Sequence, residues 1–159
     1  MKIAIVHEYL NQYGGAERTL REIFMPLFPQ AVIYSLFHDK QVFHADPRWT
    51  IKTSFLQHFP NINHYKFYFP LFPLAIRSFS FDEYDVVLSS SSAFAKNIRK
   101  PKRGIHICYC HTPMRYAWDL KEQYVANQHF LLRFPLRLFL LLLRWWDKSQ
   151  TKNVDYFIA

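Results

Sequence analysis

KIAIVHEYLNQYGGAERTLREIFMPLFPQAVIYSLF, residues 2–37, decides the architecture. Lys2 to His7 is apolar at successive rather than alternate positions, the pattern of a strand covered on both faces, as in a parallel sheet. From Gly14-Gly15 a helical period begins, with Ala16, Leu20, Ile23, Phe24 and Leu27 on one face, and Pro26 and Pro29 close it. Ala31 to Phe37 is a second strand. Strand, helix and strand in this order make a βαβ unit, whose crossover is right-handed in nearly every known sheet.

Working outward, Ile51-Lys52-Thr53 reads as a short strand. Phe55 to Phe59 and Tyr65 to Phe81 are rich in aromatics, and Pro60, Pro70 and Pro73 break them into short kinked helices. Asp85 to Ser89 is strand-like and leads through a serine run to a turn or short helix over Ala93 to Asn97. Ile105 to Cys110 is the next strand. A long helix from Phe130 to Lys152 then leads to Asp155–Ala159, which reads as one more buried parallel strand. The expected fold is α/β and Rossmann-like: an open, mainly parallel sheet with helices on both faces, occupying residues 1–159. Because the sequence stops in a strand with no turn or cap, the expectation is a domain cut at its last strand, with about as much chain again downstream.

Composition narrows the function classes. Half of the residues are hydrophobic and 19% are aromatic, which excludes an intrinsically disordered chain. The formal charge of +8 favours anionic partners: phosphates, nucleic acid or acidic lipid head groups. Lys96, Arg99, Lys100, Lys102 and Arg103 read as a solvated basic loop. Arg133, Arg137 and Arg144 fall near one face of the long helix, which suits either a membrane interface or packing on a sheet; packing is the commoner arrangement and the expectation here. Cys108 and Cys110, at i and i+2 on one strand, rarely close a disulfide in such a position. With no signal peptide at Met1-Lys2-Ile3, the chain reads as cytoplasmic. The longest Leu/Phe run, Leu138 to Leu143, is six residues, against the ~20 needed to span a bilayer.

Ligands of open α/β sheets bind outside the carboxyl ends of the strands. Three loops fall there: His7 to Arg18, Ser89 to Asn97 and His111 to Asp119. In the first, Gly14-Gly15 before a helix permits close backbone approach and leaves N–H groups for an anion. It is not a G-x-G-x-x-G fingerprint, so a nicotinamide or flavin site is unsupported. In the second, Ser89-Ser90-Ser91-Ser92 lacks the surroundings of a hydrolase nucleophile and reads as turn and cap chemistry. The third, His111-Thr112-Pro113-Met114-Arg115-Tyr116-Ala117-Trp118-Asp119, offers an imidazole, a guanidinium, two aromatic faces and a carboxylate, a mixture suited to sugars. Core packing accounts for Tyr116 and Trp118 but less well for His111 and Arg115. His106, Cys108 and Cys110 share a strand face beside His111, yet no second ligand cluster accompanies them, so no metal is expected.

Three blocks, in order, carry a family resemblance: KIAIVHEYLNQYGGAERTL (Lys2 to Leu20), YDVVLSSSSAFAKNI (Tyr84 to Ile98) and CYCHTPMRYAWDL (Cys108 to Leu120). Together they resemble the N-terminal domain of the large group-one family (family 4) of retaining GT-B glycosyltransferases, and NVDYFIA from Asn153 looks like the strand near that domain's end. His38 to Ser80 carries no matching block. The resemblance implies transfer of a sugar from a nucleotide-sugar donor to a glycan or lipid-linked acceptor, with retention and no metal cofactor. Mannose is the sugar suggested by the His111 block. It implies that His111 lies near the transferred sugar and stabilises charge at the reacting centre. Gly14 and Gly15 would approach the donor diphosphate or the acceptor, and Glu17, Arg18, Arg115 and Tyr116 would contact donor or acceptor. The family's donor site lies mostly in a C-terminal domain absent from this sequence, so the chain alone is expected to be inactive. An anionic membrane surface is a further expected partner. The alternative is a non-catalytic basic module that binds anionic membrane or nucleic acid; no helix-turn-helix or stacking-sheet signature supports nucleic acid.

Overall fold

The computed structural model of the protein describes residues 1–60 and 62–159. Six strands, β1 (Ile3–Leu10), β2 (Val32–His38), β3 (Thr50–Thr53), β4 (Val86–Ser91), β5 (Ile105–Cys110) and β6 (Tyr156–Ile158), form one sheet in the order β3-β2-β1-β4-β5-β6. Every neighbouring pair is parallel. This is an open Rossmann-like α/β sheet. The successive apolar residues of β1 divide between its faces, with Ala4 and Val6 in one core and Ile5 in the other. Burial on both sides is what removes the polar alternation from the sequence.

The first core is covered by α3 (Phe72–Arg77), by the 3₁₀ turns before it and by the long α5 (Phe130–Gln150). The second is covered by the first helical segment together with Phe43 and Trp49. That segment runs as α1 (Gly15–Thr19), a π turn Leu20–Phe24, and α2 (Met25–Leu27). The π turn corrects the predicted helical face. It inserts one residue into the period, so Leu20, Phe24 and Met25 are buried while Ile23 and Leu27 face solvent. α4 (Lys121–Ala126) precedes α5, which ends in a 3₁₀ turn, Thr151–Asn153.

Two further expectations change. The terminal strand pairs with β5 as predicted but is an edge, and Tyr156, Phe157 and Ile158 are all exposed. The basic run is not simply solvated: Lys96 is buried and ion-paired with Asp147 of α5, Lys100 pairs with Asp155, and Lys102 meets Asp82 at 3.4 Å. Asp147 also accepts from Asn97 Nδ2 at 3.1 Å and Trp118 Nε1 at 3.3 Å, so one buried carboxylate ties α5 to the loops after β4 and β5.

The chain builds β1, β2 and β3 in one direction, then returns to lay β4 on the other side of β1. This reversal is the topological switch point, where open α/β sheets leave a crevice. β1 pairs with β2 as far as Leu10 but with β4 only as far as His7, so the two central strands part just beyond His7.

Candidate functional site

His7 and Ser90 are register partners at the point of divergence. His7 Nδ1 lies 3.0 Å from Ser90 Oγ, and Ser90 Oγ lies 2.8 Å from Nε2 of His111, which follows β5 directly. On its other side, His7 Nε2 is 3.3 Å from Glu17 Oε1. Gln12 Nε2 donates to the same oxygen at 3.1 Å, and the Gly14 N–H donates to Glu17 Oε2 at 2.6 Å. An unbroken file of side chains thus joins the double-glycine turn to the imidazole after β5. Its members come from β1, β4, α1 and the loop after β5, and the strand ends bring them together.

His7, Glu17 and Ser90 are each about 1% exposed, and His111 is partly open. Burial alone would raise the Glu17 carboxyl, but hydrogen bonds from His7 and Gln12, attraction to His7 and the Gly14 N–H together lower it to about 2. Burial, and after it the neighbouring His7, push His111 below the ordinary imidazole value. Its ring also meets Tyr109 edge-on at 5.0 Å.

Gly14 and Gly15 act differently from the expectation. Gly14 has φ −121, which any residue tolerates, but a Cβ there would come within 3.1 Å of Glu17 Oε2. The missing side chain lets the chain's own carboxylate sit on the Gly14 N–H, so Glu17 already occupies the place of the anion. A Cβ at Gly15 would meet nothing within 4 Å. Glu17 shapes the site from beneath, with both oxygens taken. Arg18 and Arg115 are exposed. Tyr116 is brought elsewhere: its ring packs on Phe69 (5.1 Å), and it lines a cavity of about 360 Å³ with Tyr9, Tyr65, Tyr124 and Leu140. Its hydroxyl is buried without a partner among the described residues, and burial followed by the charge of Glu8 pushes its pKa well above the ordinary phenol value.

Three members escaped sequence reasoning: His7, Ser90 and Glu8. The serine run read as turn chemistry, yet β4 extends through Ser91 and presents Ser90 to two imidazoles. Glu8 does the capping instead. Its buried carboxylate accepts from the backbone N–H groups of Ser92 (3.0 Å), Ala93 and Ala95 (3.2 Å), and from the Ser91 hydroxyl at 3.2 Å. The available signal was the His7-Glu8 pair itself, two titratable residues in an otherwise apolar strand.

The strand face weighed and set aside as a metal site is used up by structure. His106 Nδ1 donates to the Asn153 carbonyl at 2.9 Å, its Nε2 accepts from Ser89 at 2.8 Å, and Cys108 is buried. Both cysteines are free, and burial raises the Cys108 thiol to about 11. Among the described residues, no group of three His, Cys, Asp or Glu side chains is arranged to hold a metal ion.

Comparison with known proteins places the chain in no named group: no family model, no curated protein and no solved structure matches it. The fold and the topological switch point define its class, an open parallel α/β domain with a file of polar side chains at the carboxyl ends of β1, β4 and β5.

Proposed function

We propose that this chain is the acceptor-side domain of a retaining GT-B glycosyltransferase. It would act with a donor-binding domain to move a hexose from a nucleotide sugar to a glycan or lipid-linked acceptor. The observation that carries the reading is the file from Gly14 to His111. Two of the sequence blocks with a family resemblance supply its ends, the third supplies Ser90, and all three converge at the switch point. A partly open imidazole held by a buried polar file suits a transition state in which charge develops on the sugar and the departing diphosphate, where pre-aligned dipoles are most effective. The test is an assay of the full-length gene product against a panel of uridine- and guanosine-diphosphate sugars. Release of nucleoside diphosphate is expected with at least one donor, falling by about 100-fold or more in His111→Ala. Full turnover in that variant, or none by the wild type with any donor, would overturn the reading.

A second observation favours a membrane-bound acceptor. α5 packs on the sheet through Leu140 and Leu143, yet Leu131, Phe134, Leu138, Leu141, Leu142 and Trp145 are all more than half exposed. By the 3.6-residue turn they form one stripe roughly 100° wide. Packing, the expected role of this helix, therefore accounts for one face only. Arg133, Arg137, Arg144 and Lys148 lie between the two apolar faces, and the helix's one acidic residue, Asp147, is buried against Lys96. Among the described residues, no helix is long and apolar enough to cross a membrane. An apolar stripe flanked by Arg133, Arg144 and Lys148, with Arg137 paired to Glu122 at 3.1 Å, suits the interface of an anionic bilayer. Co-sedimentation with phosphatidylglycerol vesicles is expected, with little binding to phosphatidylcholine, and Leu138→Glu/Leu142→Glu should abolish it. Equal binding by the variant would exclude α5 as the contact.

A further inference from the structure

Hydrogen counting along the buried file leaves few arrangements. Ser90 Oγ carries one hydrogen and touches both imidazoles, at 3.0 and 2.8 Å, so it donates to one and accepts from the other. The Glu17 carboxylate has no hydrogen to give, so His7 Nε2 is the donor of that pair. With His7 neutral, its Nδ1 is an acceptor, Ser90 donates to it, and His111 must donate through Nε2–H. Nδ1 of His111 then carries a free lone pair. With His7 as imidazolium, every hydrogen shifts by one place: His7 Nδ1–H donates to Ser90, Ser90 donates to His111 Nε2, and the His111 hydrogen sits on Nδ1. The two arrangements differ by one proton, and His111 is neutral in both.

We propose that Glu17, His7, Ser90 and His111 form a one-proton relay, with Nδ1 of His111 as its outer end and the buried His7–Glu17 pair as its store. A proton bonds to His111 Nδ1, the Nε2 hydrogen passes to Ser90 Oγ, and the serine's own hydrogen passes to His7 Nδ1. The positive charge ends 3.3 Å from a carboxylate in a site shut off from water, where Coulomb attraction is least screened. Left on His111, that charge would face burial, with Glu8 and Glu17 favouring it only from a distance and no carboxylate in contact. The other groups nearby are the Tyr109 ring and Glu8, whose carboxylate is occupied by the loop after β4. Nδ1 of His111 makes no hydrogen bond among the described residues. Resting on the sugar-transfer reading, the consequence is that His111 offers a bound sugar hydroxyl either a lone pair or an N–H without becoming charged. His7, Ser90 and Glu17 act as positioning residues.

Long-range ¹H–¹⁵N NMR of the uniformly ¹⁵N-labelled chain, with no sugar or nucleotide present, tests the relay separately from catalysis. At a pH well above the imidazole range, His111 is expected as the Nε2–H tautomer. Across the first protonation step it should switch to the Nδ1–H tautomer while His7 becomes the imidazolium. Direct formation of a His111 imidazolium beside a neutral His7, or an Nδ1–H tautomer at high pH, would overturn the proposal. Ser90→Ala should cut the relay, so that His111 titrates directly to its imidazolium, and a persisting tautomer switch in that variant would also overturn it. The wild-type titration decides the matter even if Ser90→Ala fails to fold.

Discussion

Two imidazoles meet neighbouring serines of β4 at the same distance, 2.8 Å, and do opposite things. His106 meets Ser89 within the sheet, and its other nitrogen is closed by the Asn153 carbonyl, so every hydrogen-bonding group is consumed. His111 meets Ser90 at the strand ends, where the serine is shared with a second imidazole and the other ring nitrogen is left open. The first pair is a closed unit that joins β4, β5 and the turn after α5. The second is one link in a file with a free end. His106, whose nitrogens both end on fixed groups of the fold, is structural; His111, with one ring nitrogen open, is a candidate for chemistry.

That contrast is most directly broken by truncation. His106→Ala removes a buried ring and strands the Ser89 hydroxyl and the Asn153 carbonyl, so a loss of about 3 kcal/mol is expected in urea unfolding. His111→Ala, at a partly open edge, should cost about 1 kcal/mol or less. Equal losses would mean that the two imidazoles are both structural.

Acid titration sharpens it further. Burial lowers the folded-state pKa of His106 to about 4, from the 6.5 of a free imidazole. The unfolded chain therefore takes up a proton that the folded chain refuses, and stability should fall as pH drops from about 6.5 to 4, by on the order of 3 kcal/mol. This loss should vanish in His106→Gln. Glu17 is lowered from 4.5 to about 2, so its stabilisation is full above 4.5 and is lost as pH falls through 2. A second loss, of comparable size, is expected there and should be absent in Glu17→Gln. Chemical denaturation followed by circular dichroism across this range separates the two windows.

The outer face of α5 obeys the opposite logic to the polar file at the strand ends. At the strand ends, His7, Glu17 and Ser90 are buried and hydrogen-bonded; on α5, apolar groups are exposed and uncovered. Either departure from the ordinary surface-and-core division marks a place where the fold serves something besides its own stability.

The order of strands and helices was legible in residues 2–37 and in the later apolar runs, because burial on both faces leaves its mark as consecutive hydrophobic residues. The position of His111 was legible too, since a histidine directly after a buried strand must lie at a strand end. Its partners were not. His7 and Ser90 are 83 residues apart in the chain and meet only because β4 returns to the far side of β1. Register between parallel strands depends on how both faces pack, and no local pattern encodes it. The exposure of Ile23 and Leu27 was hidden for a related reason: a single π turn shifts the helical period by one residue, and that turn is settled by packing on the sheet. The chain's own residues thus determined that there would be a parallel sheet with a polar edge, while the tertiary structure alone decided which polar groups touch, because hydrogen bonding requires side chains to meet within about 3 Å and sequence distance says nothing of that.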